Sequence, residues 1–338
     1  MAMNEIDCSV EVVRAGVVES RHRVHVAVMD AEGQLRAYAG DPDLVTFFRS
    51  SAKPFQALAM VDDGAVERFG ITDPEVALVC GSHVGSPAHT SAAESILRKA
   101  GVEAEALACG PHAPWHESTR RELQEAGLEP IRLHNNCSGK HAGMLALARV
   151  RGWSTQDYNR PEHPVQLRVL SEVARWANMP AEAIAGGNDG CGVVCFALPL
   201  RNMAVAYARL ARAARAGERG ASRVVGAMLE HPEMVSGKGR LCTELMRRTE
   251  GRVFAKIGAE GVYCVGVPGA ELGVALKVED GASRAVGPAI LGVLRELDLI
   301  SEDDFGAMYA LAYPEVVNTR GEVAGQLRPR VRLSVPGA

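Results

Sequence analysis

The apolar positions of the chain change period twice. Val24 to Met29 alternates within a β-branched run, Asp30-Ala31-Glu32-Gly33 supplies turn residues and Gln34 to Ala39 follows, which together predict a β-hairpin. From Phe55 onward the apolar residues recur with the helical period. Helices are expected over 55–69, 89–100, 117–126, 142–151, 164–177, 201–216, 222–230 and 240–249, broken by Gly and Pro. Strand character returns at 253–257, 262–267 and 273–278, with turns at Gly258 to Gly261 and Pro268-Gly269-Ala270. Ser283 to Leu297 reads as a last amphipathic helix. The segment 314–338 is rich in Gly and Arg, and its pattern does not place it.

Strands at both ends with helices between them predict an α+β fold. One antiparallel sheet is assembled from about 10–50 and 250–300, and a helical subregion over about 55–250 packs as its own layer. At 338 residues the chain could hold one large domain or two ordinary ones. No linker, repeat or low-complexity segment divides it, so a single domain over 1–338 is expected.

Composition narrows the partners. A net charge of −4 gives no electrostatic case for nucleic acid or an anionic membrane surface, which leaves a small molecule or a protein. No stretch approaches the roughly 18 continuous apolar residues of a membrane span. The N-terminus, Met1 to Asp7, carries acidic residues where a signal peptide carries basic ones, so a cytoplasmic protein is expected. Eight cysteines in a chain of this length do not make a disulfide scaffold, and thiols are expected, most of them buried as small hydrophobes. No Cys-x-x-Cys occurs.

Candidate chemistry begins at Arg49-Ser50-Ser51-Ala52-Lys53-Pro54. In a first helical turn Ser50 and Lys53 would share a face, close enough for the amine to take the hydroxyl proton. The plainer alternative is Ser50 as an N-cap. With 17 serines and only 6 lysines beside 31 arginines, chance alone would supply roughly 0.3 Ser-x-x-Lys pairs, so the match is informative. Three further stretches pack small and polar residues where neither period holds. Cys80-Gly81-Ser82-His83-Val84-Gly85-Ser86-Pro87 follows an apolar run and reads equally as a tight turn. His134 to Gly143 holds far more hydrogen-bonding capacity than a helix cap requires. Gly186 to Gly192 lets backbone approach a ligand closely but lacks the spacing of a phosphate loop. The last two stretches offer Cys137, Lys140, His141, Asp189 and Cys191 as candidate zinc ligands, with ordinary buried cysteines as the alternative. Lys256, in Lys256-Ile257-Gly258, sits on a strand where it could hold a proton or pair with a second hydroxyl; the alternative is an edge-strand lysine that blunts sheet pairing.

The order of these elements resembles the superfamily of serine β-lactamases, penicillin-binding proteins and glutaminases. The motifs Arg49 to Pro54, Cys80 to His83, His134 to Gly143, Gly187 to Cys191 and Ala255 to Gly261 more closely resemble the rhizobial-type L-asparaginases, also called asparaginase II or class 3, from about Val10 to about Arg330. That resemblance implies a homodimer with a β-lactamase-like fold, and two Ser-Lys tandems, Ser50 with Lys53 and Ser82 with Lys256. It also implies a zinc site on Cys137, Lys140 and Cys191, with His141 and Asp189 close by, where the metal supports substrate binding rather than supplying the nucleophile.

The expected reaction is hydrolysis of L-asparagine to L-aspartate and ammonia through an acyl-enzyme. Ser50 attacks, Lys53 is the base, and Ser82 with Lys256 relays a proton to the leaving group. Lys53 would have to be held neutral by burial or by the nearby charge of Lys256. Arg49 and Asp189 are candidate partners for the substrate carboxylate and ammonium, with Asn136 and His141 as polar neighbours, and the backbone N–H groups of Ser50 and of the strand after Lys256 are candidate oxyanion donors. Competing readings are a zinc-hydroxide amidohydrolase, a glutaminase, a β-lactam hydrolase, and a non-catalytic zinc- or amino-acid-binding protein.

Overall fold

β2 (Val17–Asp30), the longest strand, runs through the middle of the sheet in the computed structural model, which describes residues 8–337. The reading of Met1 to Asp7 therefore lies outside the described residues. The first half of β2 pairs with β1 (Cys8–Arg14) and its second half with β3 (Leu35–Ala39), the expected hairpin. The second half is buried because it also pairs along its length with β9 (Leu272–Val278), from Val24 against Val278 to Asp30 against Leu272. β8 (Val262–Val267) and β7 (Phe254–Ile257) continue the sheet beyond β9. The protein is α+β, with an antiparallel sheet joining both ends of the chain, as its sequence predicts.

Four departures refine that expectation. The unplaced segment 314–338 contributes β10 (Glu315–Val317) and β11 (Val323–Val331), so the eight-stranded sheet extends past residue 300 in the order β10-β11-β1-β2-β9-β8-β7, with β3 on β2. Ionic pairing rather than apolar alternation marks β11: Arg330 reaches across to Glu11 of β1, which also holds Arg21 of β2. β4 (Val45–Phe47), from the end of the 10–50 segment, leaves the main sheet and forms a small one with β6 (Val194–Pro199) and β5 (Ala185–Asn188) of the helical middle, so Gly186 to Asn188 is strand rather than loop. Finally, the helix expected from residue 142 begins at Ser138, and the one expected over 55–69 is two helices, Lys53–Asp62 and Ala65–Phe69, separated by the left-handed Gly64. The short helix Asp73–Val79, capped by Thr72 and Glu75, was not anticipated.

Two helices explain where the site lies. Lys53–Asp62 buries every residue from Lys53 to Val61, and Ser138–Arg151 buries Ser138 to Ala148, so each is enclosed on all sides. Their polar first turns are therefore forced into the interior. The helix Leu200–Arg215 covers β9 so closely that a Cβ on Gly273 would collide with the Ala204 carbonyl oxygen. Among the described residues no helix is long and apolar enough to cross a membrane.

Candidate active site

The turn that carries Ser50 is held from below by aromatic rings. Phe48 packs on Phe55 and Tyr207, and Tyr207 stacks on Phe254 of β7. The Tyr207 hydroxyl donates to the Ser51 carbonyl (2.8 Å), and the Ser51 hydroxyl donates to the Lys256 carbonyl (2.8 Å), which ties the turn to β7. Arg49 adopts a left-handed backbone (φ 50°), rare for a residue with a side chain, and its guanidinium pairs with Asp189 (2.9 Å). The 3₁₀ turn Arg49–Ala52 then runs straight into the helix Lys53–Asp62.

Ser50 and Lys53 thus occupy positions i and i+3 of one turn, and the Lys53 backbone N–H donates to the Ser50 carbonyl. The Lys53 amine, however, makes no hydrogen bond to the Ser50 hydroxyl. It donates to the Gly81 carbonyl, to Ser82 Oγ (3.1 Å) and to the Asn136 carbonyl (3.4 Å). Lys256 reaches the same serine, with its Nζ 2.8 Å from Ser82 Oγ and 2.8 Å from the Ile257 carbonyl. Ser82 therefore lies between two buried lysines, while Ser50 is half-buried and makes no side-chain hydrogen bond among the described residues. Burial, and secondly the charge of Lys53, lower the pKa of Lys256 to about 7.

The candidate oxyanion donors divide. No acceptor in the described chain takes the Ser50 backbone N–H. On β7 the N–H groups after Lys256 are engaged: that of Ile257 with Cys242 Sγ (3.3 Å) and that of Gly258 with the Val262 carbonyl (2.8 Å).

The second polar stretch meets the first through His83, whose Nε2 is 2.9 Å from the Ser138 hydroxyl and whose backbone N–H donates to the Asn136 carbonyl. Asn136 thus faces this centre with its backbone. One turn on, Lys140 Nζ lies 2.9 Å from Cys191 Sγ, and Cys191 Sγ lies 3.6 Å from Asp189 Oδ2. A hydrogen bond from Cys137 and the Lys140 charge bring the Cys191 thiol down to about 5, and Cys137, as the donor and through burial, rises to about 12. Burial alone would lower Lys140, but the Cys191 thiolate, Cys137 and Asp189 hold it above its ordinary value. Asp189, which burial alone would raise, is lowered by Lys140 and Arg49. His141 sits at the edge of this cluster, with Nδ1 2.6 Å from the Tyr158 hydroxyl and Nε2 buried without a partner; burial, reinforced by Lys140, lowers it to about 3.

Among the described residues no group of three or more His, Cys, Asp and Glu side chains is arranged to hold a metal ion. Cys137, Lys140 and Cys191 contain two such residues and a lysine, so a metal here would need the lysine nitrogen. Two mutually hydrogen-bonded sulfurs and a nitrogen, buried together, fit a zinc ion in kind once the Cys137 thiol and the Lys140 ammonium, which has no lone pair while protonated, give up their protons.

The structure brings Lys53, Ser82 and Lys256 together, and separately Cys137, Lys140, Asp189 and Cys191. Arg49 joins the second group to the Ser50 turn. Ser51, whose hydroxyl holds the Lys256 carbonyl, Gly81, whose carbonyl takes the Lys53 amine, and Tyr207, whose hydroxyl holds the Ser51 carbonyl, were not singled out by the sequence, because each acts through a backbone carbonyl that side-chain chemistry does not mark. His83 lies in the motif Cys80 to His83, where an imidazole next to Ser82 is the signal that points to it.

A family model described as L-asparaginase II matches residues 10–329. No curated protein matches the chain. Among solved structures, Mglu in its native form is similar at 16% identity and TM-score 0.47, covering 86% of this chain and 68% of its own. A β-lactamase from Mycobacterium bovis is similar at 16% identity and TM-score 0.37, covering 81% of this chain and 94% of its own. A putative β-lactamase from Bacteroides dorei DSM 17855 is similar at 12% identity and TM-score 0.41, covering 86% and 93%.

Proposed function

The chain belongs to the L-asparaginase II family, and on that premise we propose that it is an amidohydrolase converting L-asparagine and water to L-aspartate and ammonia through an acyl-enzyme. The observation that carries the mechanism is Ser82 Oγ between the amines of Lys53 and Lys256. Ser50, the accessible hydroxyl, attacks the side-chain amide carbon. Lys53 takes its proton while passing one of its own to Ser82, and Ser82 passes one to Lys256, the amine that burial readies to accept near neutral pH. Lys53 then needs no neutral resting state, because the proton comes to rest on Lys256. The relay runs in reverse to protonate the leaving ammonia, forward again to activate the water that cleaves the ester, and in reverse once more to return a proton to the Ser50 oxygen as aspartate leaves. The Ser50 N–H is one oxyanion donor. The Arg49–Asp189 pair anchors the substrate zwitterion, Arg49 taking the carboxylate and Asp189 the ammonium.

A second reading makes Ser82 the nucleophile. It is favoured by the amine contacts, all of which fall on Ser82 and none on Ser50. Burial of Ser82 weighs against it.

The test of substrate class is ammonia release from L-asparagine and from L-glutamine, with opening of a chromogenic β-lactam alongside. Release from asparagine well above glutamine is the expected result. Preference for glutamine would move the specificity while keeping the amidase, and β-lactam opening without ammonia release would replace the reading.

Cys137, Lys140 and Cys191 would hold a zinc ion, with Asp189 and His141 beside them. Bound there, zinc supplies positive charge that fixes Asp189, and with it the substrate's anchoring groups. Replacing both Cys137 and Cys191 by Ala is expected to bring zinc, measured by elemental analysis, to background and to raise KM about 10–100-fold with a smaller change in kcat. Unchanged metal content would remove the site, and full turnover in metal-free protein would exclude the zinc-hydroxide alternative. The same reading takes the protein to be a cytoplasmic homodimer.

A further inference from the structure

Ile257, which follows Lys256 on β7, lines a cavity of about 270 Å³ whose lining includes neither Lys53 nor Lys256. Its polar wall consists of Ser236, Arg240, Ser283 and Arg284, and no carboxylate lines it. Arg240 precedes the helix Leu241–Arg248 and rests its guanidinium over the Trp115 ring at 5.7 Å, with no acidic partner among the described residues. Arg284 belongs to the 3₁₀ turn Ser283–Ala285 that opens the helix Val286–Glu296. Its position is fixed from behind. The Arg284 Nε donates to His22 Nε2 (3.0 Å), so His22 carries its own proton on Nδ1 and donates it to Asp280 Oδ2 (2.7 Å). Both terminal nitrogens of Arg284 are left without an acceptor among the described residues. Ser236 is only 4% exposed and lines the cavity, and its hydroxyl has no hydrogen-bond partner among the described residues. An arginine held in place by a His–Asp pair, with both terminal nitrogens free to donate, can take the two oxygens of an oxyanion in a fork, and the Ser236 hydroxyl at the cavity wall can donate a third hydrogen bond.

The rest of the wall is apolar. Leu241, Val286 and Leu311 face a volume larger than an inorganic oxyanion fills, so a ligand here carries carbon as well as charge. We propose that this cavity binds a small organic carboxylate, its oxygens on the Arg240 and Arg284 guanidinium groups and the Ser236 hydroxyl and its short carbon chain against Leu241, Val286 and Leu311. Its binding needs no turnover, so it stands or falls separately from the amidase reading.

The test is calorimetric titration of the purified full chain with sodium butyrate at ionic strength fixed by sodium chloride, with butyramide as the uncharged isostere. Saturable butyrate binding is expected, at least about 10-fold tighter than butyramide and at least about 10-fold weaker in Arg284→Ala. Arg284 and Arg240 are both exposed, so neither alanine variant threatens the fold, and Ser236→Ala should weaken binding several-fold. Absence of saturable binding, equal affinity for butyramide, or wild-type affinity in both Arg284→Ala and Arg240→Ala would overturn the proposal.

Discussion

Ser50→Ala is expected to lower kcat/KM for asparagine by on the order of 10⁴-fold while leaving stability within about 0.5 kcal/mol. The first half of that expectation follows from its role as the attacking atom. The second follows from its surroundings: Ser50 is half-buried and gives up no side-chain hydrogen bond when its hydroxyl is removed. Ser82→Ala should behave differently. It removes the oxygen that receives both lysine amines, breaking the relay but not the nucleophile, and a loss of about 10²–10³-fold is expected. Because both variants lose activity, magnitude alone does not assign the attacking serine. A slowly deacylating substrate, acid quench and peptide mass mapping do. The acyl adduct is expected on the peptide carrying Ser50, and an adduct on Ser82 that forms normally in Ser50→Ala would transfer the nucleophile to Ser82.

The parts of this protein that were legible in its sequence are those governed by local periodicity. The hairpin of β2 and β3, the helix Pro164–Ala177 and strand β8 lie where alternation or the helical period places them. What escaped has identifiable physical causes. β6 is a six-residue apolar run, too short for its period to distinguish strand from helix, and β5 carries two glycines with no side chains to alternate. β11 is held to β1 by Arg330 on Glu11, a pairing of residues more than three hundred apart that no local window contains. The residues of the candidate site were visible as chemistry without being visible as geometry. Ser50 and Lys53 are neighbours in the turn, yet the lysine is captured by the carbonyls of Gly81 and Asn136 and by Ser82, brought in from other segments. Arg49 and Asp189, read as separate anchors, are each other's counter-ions, because two opposite charges in a partly buried turn pair in preference to remaining bare.

Lys256 is where function and stability pull apart most strongly. Its amine is fully buried and loses its proton near pH 7, against 10.5 for a free lysine side chain, so folding confines a group that water would keep charged. Below pH 7 both states hold the proton, and the folded state bears the whole cost of a buried cation beside Lys53. Between about 7 and 10.5 the unfolded chain binds more protons than the folded one, so this contribution to stability improves as pH rises through that window. Lys256→Met keeps the length of the side chain and removes the charge. It is therefore expected to stabilise the protein by on the order of 3–5 kcal/mol at pH 6, with the gain shrinking from pH 7 toward pH 10.5, as read by denaturant unfolding. Turnover should move the other way, falling about 10²–10⁴-fold. The wild-type rate should climb as pH passes through about 7, where Lys256 becomes free to accept the proton relayed by Ser82. In Lys256→Met the residual rate should lack that limb. A variant that kept the limb would place the titrating group elsewhere, and one that lost activity without gaining stability at low pH would show that the amine is paired by more than Ser82 and the Ile257 carbonyl.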